Sequence, residues 1–218
     1  MKGLLVLTLV LGVFLMGCGE EVDPEPEEAQ VGYGEQNGWV FKDATVAVGN
    51  NPPQPEELGI VGFELKDGPF IEGHDLASFG RRWNTIADDF EMEGLKIDEF
   101  EVTYGKQSVE AVCEIEDWLT VFVLAGYGPE YITFAGVEWD IDPDLIGDKV
   151  TGAWGALIYA SRPEITDDVL IDIINELGIF TMSMGQLADA DITTEIHGYE
   201  YDFFSTDRWG AFEVSPAR

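Results

Sequence analysis

Between Ile97 and Ile141 the apolar residues recur at every second position, and no other stretch restricts the fold as tightly. Phe100/Val102/Tyr104, Val109/Ala111/Cys113/Ile115, Leu119/Val121/Val123 and Tyr131/Thr133/Ala135/Val137/Trp139 form alternating runs. Gly105-Lys106, Glu116-Asp117 and Gly126-Tyr127-Gly128-Pro129 separate them. Alternate side chains of a strand leave opposite faces, so each run has one wet and one dry side. Breaks this short join antiparallel neighbours, because a parallel return needs a crossover of roughly a dozen residues. The stretch predicts an antiparallel meander whose dry face needs a cover.

The cover is predicted from period-3.6 stretches on either side. Leu76, Phe79, Trp83, Ile86 and Phe90 make one apolar stripe, with Asp75 as N-cap and Gly94 as the stop. Val150, Trp154, Leu157 and Ile158 mark a second helix, halted before Pro163. Thr166 caps a third, with Leu170, Ile173, Ile174 and Leu177 facing inward and Gly178 closing it. Trp39-Val40-Phe41, Thr45-Val46-Ala47-Val48 and Ile60 to Leu65 read as short strands around the Asn50–Pro55 loop. A final hairpin is expected from about Ile192 to Phe204 and from Trp209 to Val214. The fold class is α+β: an antiparallel sheet with about three helices packed on it, in a single domain over residues 31–218. The order helix, strands, helices, hairpin suggests two unequal αβ units sharing one sheet.

The hydrophobic share of 45% and aromatic share of 12% supply a real core despite a formal charge of -32, from 43 acidic and 11 basic side chains. Self-repulsion of that size opposes the compact state at low salt, and falls away near 1 M, where the Debye length is about 3 Å. Acids dispersed along the whole chain with scarce lysine resemble the halophilic proteins of salt-adapted bacteria. Nucleic acid is excluded as a partner, because binding it needs a basic footprint and Arg81-Arg82 is too small a one.

The chain begins with Met1-Lys2, continues apolar from Gly3 to Met16, and reaches Gly17-Cys18. A positive start, a short apolar core and a small residue before a cut form an export signal. The apolar core is shorter than the roughly 20 residues of a membrane span. Leu15-Met16-Gly17-Cys18 resembles the lipobox of bacterial lipoproteins. That resemblance implies a signal peptide over residues 1–17 and a diacylated Cys18 as membrane anchor on the extracytoplasmic side of the cell envelope. Gly19, where inner-membrane lipoproteins often carry aspartate, permits outer-membrane delivery. Residues 18–30, acidic and proline-bearing, make a flexible tether. Cys113 is then the remaining cysteine, so no internal disulfide framework exists, and its alternating context makes it a small buried apolar residue.

Motifs that carry chemistry are few. No metalloprotease helix, serine elbow, phosphate loop or CxxC pair occurs in the mature chain. His74 and His197 stand in different elements and make a poor triad or metal pair. Asp140, Asp142 and Asp144, with Asp148 beyond, are candidate ligands for calcium, which takes about six to eight oxygens. Their spacing starts like an EF-hand loop, then departs: Leu145 stands at the turn glycine and Thr151 at the bidentate glutamate. Asp189, Asp191 and Glu195 form a weaker cluster. Trp39, Trp83, Trp118, Trp139, Trp154 and Trp209 suit either a sugar platform or core packing, and most fall on apolar faces. Glu176-Leu177-Gly178 before a Tyr-rich terminal hairpin, Tyr199-Glu200-Tyr201 and Trp209 to Val214, is similar to the distal half of uncharacterised bacterial lipoproteins. It implies a fold type and no reaction.

The expectation is a membrane-tethered exported lipoprotein acting as a non-enzymatic binding or interaction module for an unknown protein or small ligand. The first alternative is a calcium-binding lipoprotein using the Asp140/Asp142/Asp144 cluster. The second is an exported hydrolase with a carboxylate pair, which needs two acids buried together in one cleft. No cofactor besides calcium is indicated.

Overall fold

Every alternating run becomes a strand. The computed structural model describes residues 43–59, 74–105, 108–126, 132–140, 148–162 and 164–217, all within one compact unit, Tyr33–Arg218. Its strands are β1 (Asp43–Ala47), β2 (Glu99–Tyr104), β3 (Ser108–Glu116), β4 (Leu119–Gly126), β5 (Ile132–Asp140), β6 (Asp191–Ile196), β7 (Tyr199–Ser205) and β8 (Trp209–Pro216). They form one 8-stranded sheet in the order β1-β2-β3-β4-β5-β8-β7-β6, with every neighbouring pair antiparallel. The helices are α1 (Leu76–Asp89), α2 (Asp148–Ala160), α3 (Asp167–Leu177) and the single turn α4 (Met184–Leu187). The fold is therefore α+β, with two meanders, β1 to β5 and β6 to β8, joined where β8 pairs with β5. The strands expected at Trp39–Phe41 and Ile60–Leu65 lie outside the described residues.

The dry face is the one the alternation marks. Phe100, Val102 and Tyr104 of β2, Val109 and Ala111 of β3, and Leu119, Val121 and Val123 of β4 are all buried. In β5 a bulge shifts the pattern. Leu124 pairs with Phe134 but Ala125 pairs with Ile132, leaving Thr133 as the extra residue. Ile132 thus joins Ala135, Val137 and Trp139 in the core in place of Thr133. The expected two-part terminal hairpin is three strands. His197-Gly198 breaks it as a two-residue turn with both φ values positive, 52 and 78, between the paired Ile196 and Tyr199. That is the turn chemistry that suits the twist of a hairpin.

Helix α2 is buried at Val150, Ala153, Trp154, Ala156, Leu157, Ile158 and Ala160, an all-round apolar pattern that requires neighbours on several sides. It packs on α1 and on β5 and β8. Trp154 meets Trp139 at 5.3 Å and Phe203 edge-on at 5.1 Å between ring centroids. Core packing accounts for Trp83, Trp139 and Trp154, each at most 2% exposed. Trp118 and Trp209 are half-buried, and Trp39 lies outside the described residues. Gly80 of α1 lets the helix settle onto the sheet, where a Cβ would press on Val48 and Phe100.

Helix α1 starts where expected, with Asp75 as N-cap. Its carboxylate accepts the Ser78 N–H at 2.7 Å while Ser78 Oγ accepts the Asp75 N–H at 3.1 Å, a reciprocal capping box. It stops earlier than Gly94. The Trp83 indole donates to the Leu95 carbonyl at 2.6 Å, and Asn84 both donates to and accepts from the Ile97 backbone. The chain must double back within a few residues to make those bonds. Phe90 is consequently the C-cap, 61% exposed and outside the apolar stripe. Glu91 N–H bonds Asp88 O, Met92 N–H bonds Ala87 O, and Glu91 takes the left-handed position with φ 57. This Schellman turn favours glycine there.

A left-handed non-glycine residue costs about 1–2 kcal/mol, part of which a glycine returns through the entropy of the unfolded chain. Glu91 also places negative charge at the wrong end of the helix dipole. Glu91→Gly is expected to raise the unfolding free energy by about 1 kcal/mol in urea titration. A lowered midpoint would show that the carboxylate, and not the backbone, holds the turn.

Candidate functional site: the sheet face opposite the helices

The helices pack on one face of the sheet among the described residues. Phe122, Leu124 and Phe134 project from the other face and are absent from the core cluster. Register places a row across that face: Thr45, Glu101, Val112, Phe122, Gly136, Glu213, Asp202, Thr193. Beside it run Glu110, Leu124 and Phe134 on one flank and Glu114, Thr120 and Glu138 on the other. Phe122 is the centre of this pattern. Its ring lies 5.5 Å from that of Phe134, tilted by 34°, and over Gly136, where a Cβ would overlap it. Phe204 and Trp209 form a second aromatic pair at 5.5 Å.

Of the carboxylates around Phe122, Glu110, Glu138, Asp202 and Glu213 are half-buried, while Glu101 and Glu114 are exposed. Burial pushes the Glu110 carboxyl above its ordinary range. Burial, then Asp140 and Glu110, does the same to Glu138. Glu213 is pushed up to about 7, by burial first and then by Asp202 and Glu138. Asp202 stands directly opposite Glu213 and accepts the Thr193 hydroxyl. Like charges directly opposite are unfavourable, and an ion half out of water gains less hydration, so both causes favour the protonated acid. Glu138 and Glu213 are diagonal neighbours, with backbones about 7–8 Å apart, on a sheet face and not in a cleft.

The residues singled out from the sequence are scattered. Cys18, Asp142 and Asp144 lie outside the described residues, and only the backbone of Asp148 is described, as the first residue of α2. Asp140 is exposed at the end of β5, opposite Trp209. Asp189, Asp191 and Glu195 are exposed, the last two along the edge strand β6. Among the described residues no three of His, Cys, Asp or Glu stand close enough to hold a metal ion. Cys113 is a free, half-buried thiol on the core face, pushed up to about 11 by burial and then by Asp98 and Glu114. It stays protonated, which removes it as a nucleophile at neutral pH.

His197 sits in the exposed β6–β7 turn. His74 is fully buried, and its chemistry is structural. Nε2 lies 2.5 Å from the Ala160 carbonyl, and Nδ1 lies 2.9 Å from Ser78 Oγ. Arg82 donates to the Tyr159 and Arg162 carbonyls at 2.9 and 2.6 Å. Together they satisfy carbonyls that the end of α2 leaves open, as basic side chains do at helix C-termini. Burial first, with Arg82 adding to it, holds the imidazole down to about 4.

Glu110, Glu138 and Glu213 escaped the sequence reading because alternation assigns them to water. One signal was present: β4, Leu119-Thr120-Val121-Phe122-Val123-Leu124, is apolar on both sides of the strand. A sheet wet on one face has no use for Phe122 and Leu124 there. Comparison with protein-family models, curated proteins and solved structures finds no match.

Proposed function

We propose that this chain is exported, acylated at Cys18, held at the outer side of a bacterial membrane by its acidic tether, and folded into a binding module that works through the sheet face opposite the helices. The anchor rests on Leu15-Met16-Gly17-Cys18 and on the acidic, proline-bearing flank. One observation carries the binding role: Phe122, Phe134 and Leu124 stand half-buried on the face opposite the core, beside Glu110, Glu138 and Glu213, whose carboxyls burial pushes above their ordinary range. Aromatic rings that add nothing to a core, set among partly dehydrated acids, are the make-up of a contact surface.

Radiolabelled palmitate is expected to enter the wild-type chain, which sediments with membranes, and to be absent from a soluble Cys18→Ser chain. Membrane retention of Cys18→Ser without label would overturn the anchor. The binding role is tested by competitive growth of a deletion strain against strains carrying Phe122→Ser with Phe134→Ser, or Ile171→Ser on the helix side, where Ile171 is 54% exposed. The face variant should compete like the deletion and Ile171→Ser like wild type. A face variant present at normal level and as fit as wild type, beside a defective deletion, would overturn it.

A further inference from the structure

We infer that the sheet face opposite the helices, which no described element covers, docks a basic protein segment, with lysine or arginine side chains flanking an apolar one. This rests on the binding role proposed above and names the partner's chemistry. The eight strands contain no lysine or arginine at all. Glu101, Glu110, Glu114, Glu138, Asp202 and Glu213 face the same side around Phe122, and every one is acidic.

The helix side is built differently. There the few cations are already engaged: Arg82 on the Tyr159 and Arg162 carbonyls, Arg162 with Glu164 at 3.1 Å, and Lys96 with Asp88 at 2.6 Å and Glu93 at 3.0 Å. Salt adaptation explains exposed acids over a whole surface. It does not explain carboxylates seated half-buried beside phenylalanine rings, where each loses hydration and gains no cation among the described residues. An incoming ammonium or guanidinium supplies the missing counter-charge in a partly dehydrated setting, where attraction is stronger than in bulk water. The same cation meets the faces of Phe122 and Phe134, which attract positive charge, while an apolar neighbour covers the rings. Charge and apolar surface therefore point to one kind of partner.

The test uses the full chain in neutral detergent and two labelled probes, decalysine and an alternating lysine–leucine peptide. Binding is compared between Glu110→Gln/Glu138→Gln/Glu213→Gln and a control, Asp89→Asn/Asp172→Asn/Glu176→Gln, whose exposed acids lie on α1 and α3. Both variants remove the same formal charge. The face variant is expected to bind the lysine–leucine peptide at least about tenfold more weakly, and the control within about twofold of wild type, at a salt level where distant charges are screened. Phe122→Leu should narrow the preference for lysine–leucine over decalysine. Equal loss in both triple variants would reduce the effect to net charge and overturn the proposal. So would no binding of either probe by wild type. If the probes fail while the Phe122/Phe134 strain still competes like the deletion, the face binds something that is not basic.

Discussion

Replacing Glu213 by glutamine is expected to make the chain more stable than wild type by about 2 kcal/mol near pH 8, with the gain vanishing near pH 4. The carboxyl is pushed up to about 7 from an ordinary 4.5, by burial first and then by Asp202 and Glu138. Below about 4.5 it is protonated in both folded and unfolded chains and contributes no difference. Between about 4.5 and 7 the folded chain holds the proton and the unfolded chain does not, so stability falls as pH rises. Above about 7 both are ionised and the folded chain carries the whole cost, roughly 3 kcal/mol from that gap. The side chain keeps partial contact with water, which brings the expected gain from glutamine down to about 2 kcal/mol. The measurement is the difference in urea unfolding free energy between variant and wild type across this range, since the titration of the other acids cancels in the difference. About 1 M salt should remove the share due to Asp202 and leave the share due to burial. A pH-independent difference would show that Glu213 titrates alike in the folded and unfolded chains and that water reaches it freely.

How far the sequence carried the fold depends on the range of the interaction. Asp75, Thr166 and Gly178 mark helix ends because each acts on backbone within a turn: Thr166 accepts the Val169 N–H, and Gly178 holds φ 67. The runs in β2, β3 and β4 alternate because their faces differ in water contact, which period alone records. What fails is what depends on partners far along the chain. Phe90 has a helical spacing, yet Trp83 and Asn84 bind the returning backbone at Leu95 and Ile97 and end the helix before it. Thr133 occupies an alternating position, but the β4–β5 register holds a bulge that moves Ile132 inward. His197-Gly198 escaped because the pair is not among the favoured hairpin turns, Asn-Gly, Asp-Gly and Gly-Gly, although its glycine is the stronger half of the signal.

The candidate site was less legible for a related reason. The sequence drew attention to Asp140, Asp142 and Asp144 because they are close along the chain. Glu110, Glu138 and Glu213 are close only across β3, β4, β5 and β8, and the β5–β8 pairing bridges both meanders. No local pattern announces that junction. Its trace is a single glycine, Gly210, over which the Trp139 ring lies, since a glycine in a strand often marks a close approach by another group.

Lowering the pH should expose His74 with the opposite sign to Glu213. The ring is fully buried and held down to about 4 from an ordinary 6.5, by burial first, with the Arg82 guanidinium adding to it and the Ala160 carbonyl opposing. Asp75 and Glu164 pull the other way and are outweighed. In the neutral ring Nε2–H donates to Ala160 O, and Nδ1 lies 2.9 Å from Ser78 Oγ, whose single proton is shared between Nδ1 and the Asp75 carbonyl. Above about 6.5 the ring is neutral in both states. As pH falls from about 6.5 to 4 the unfolded chain takes up a proton that the folded chain refuses, and the folded state loses roughly 3 kcal/mol. His74→Phe preserves the ring packing near Phe79 and removes this proton linkage. It is expected to cost about 1–3 kcal/mol near pH 8, because the buried Ala160 carbonyl loses its donor. Between about pH 6.5 and 4 that deficit should shrink, since wild type alone then bears the histidine penalty. Combined with Glu213→Gln, which removes the opposing slope over nearly the same window, each single variant lays bare the other group's titration. A wild-type minus His74→Phe difference that stays flat from about pH 6.5 to 4 would mean that the imidazole protonates freely, and that the end of α2 is held by Arg82 alone.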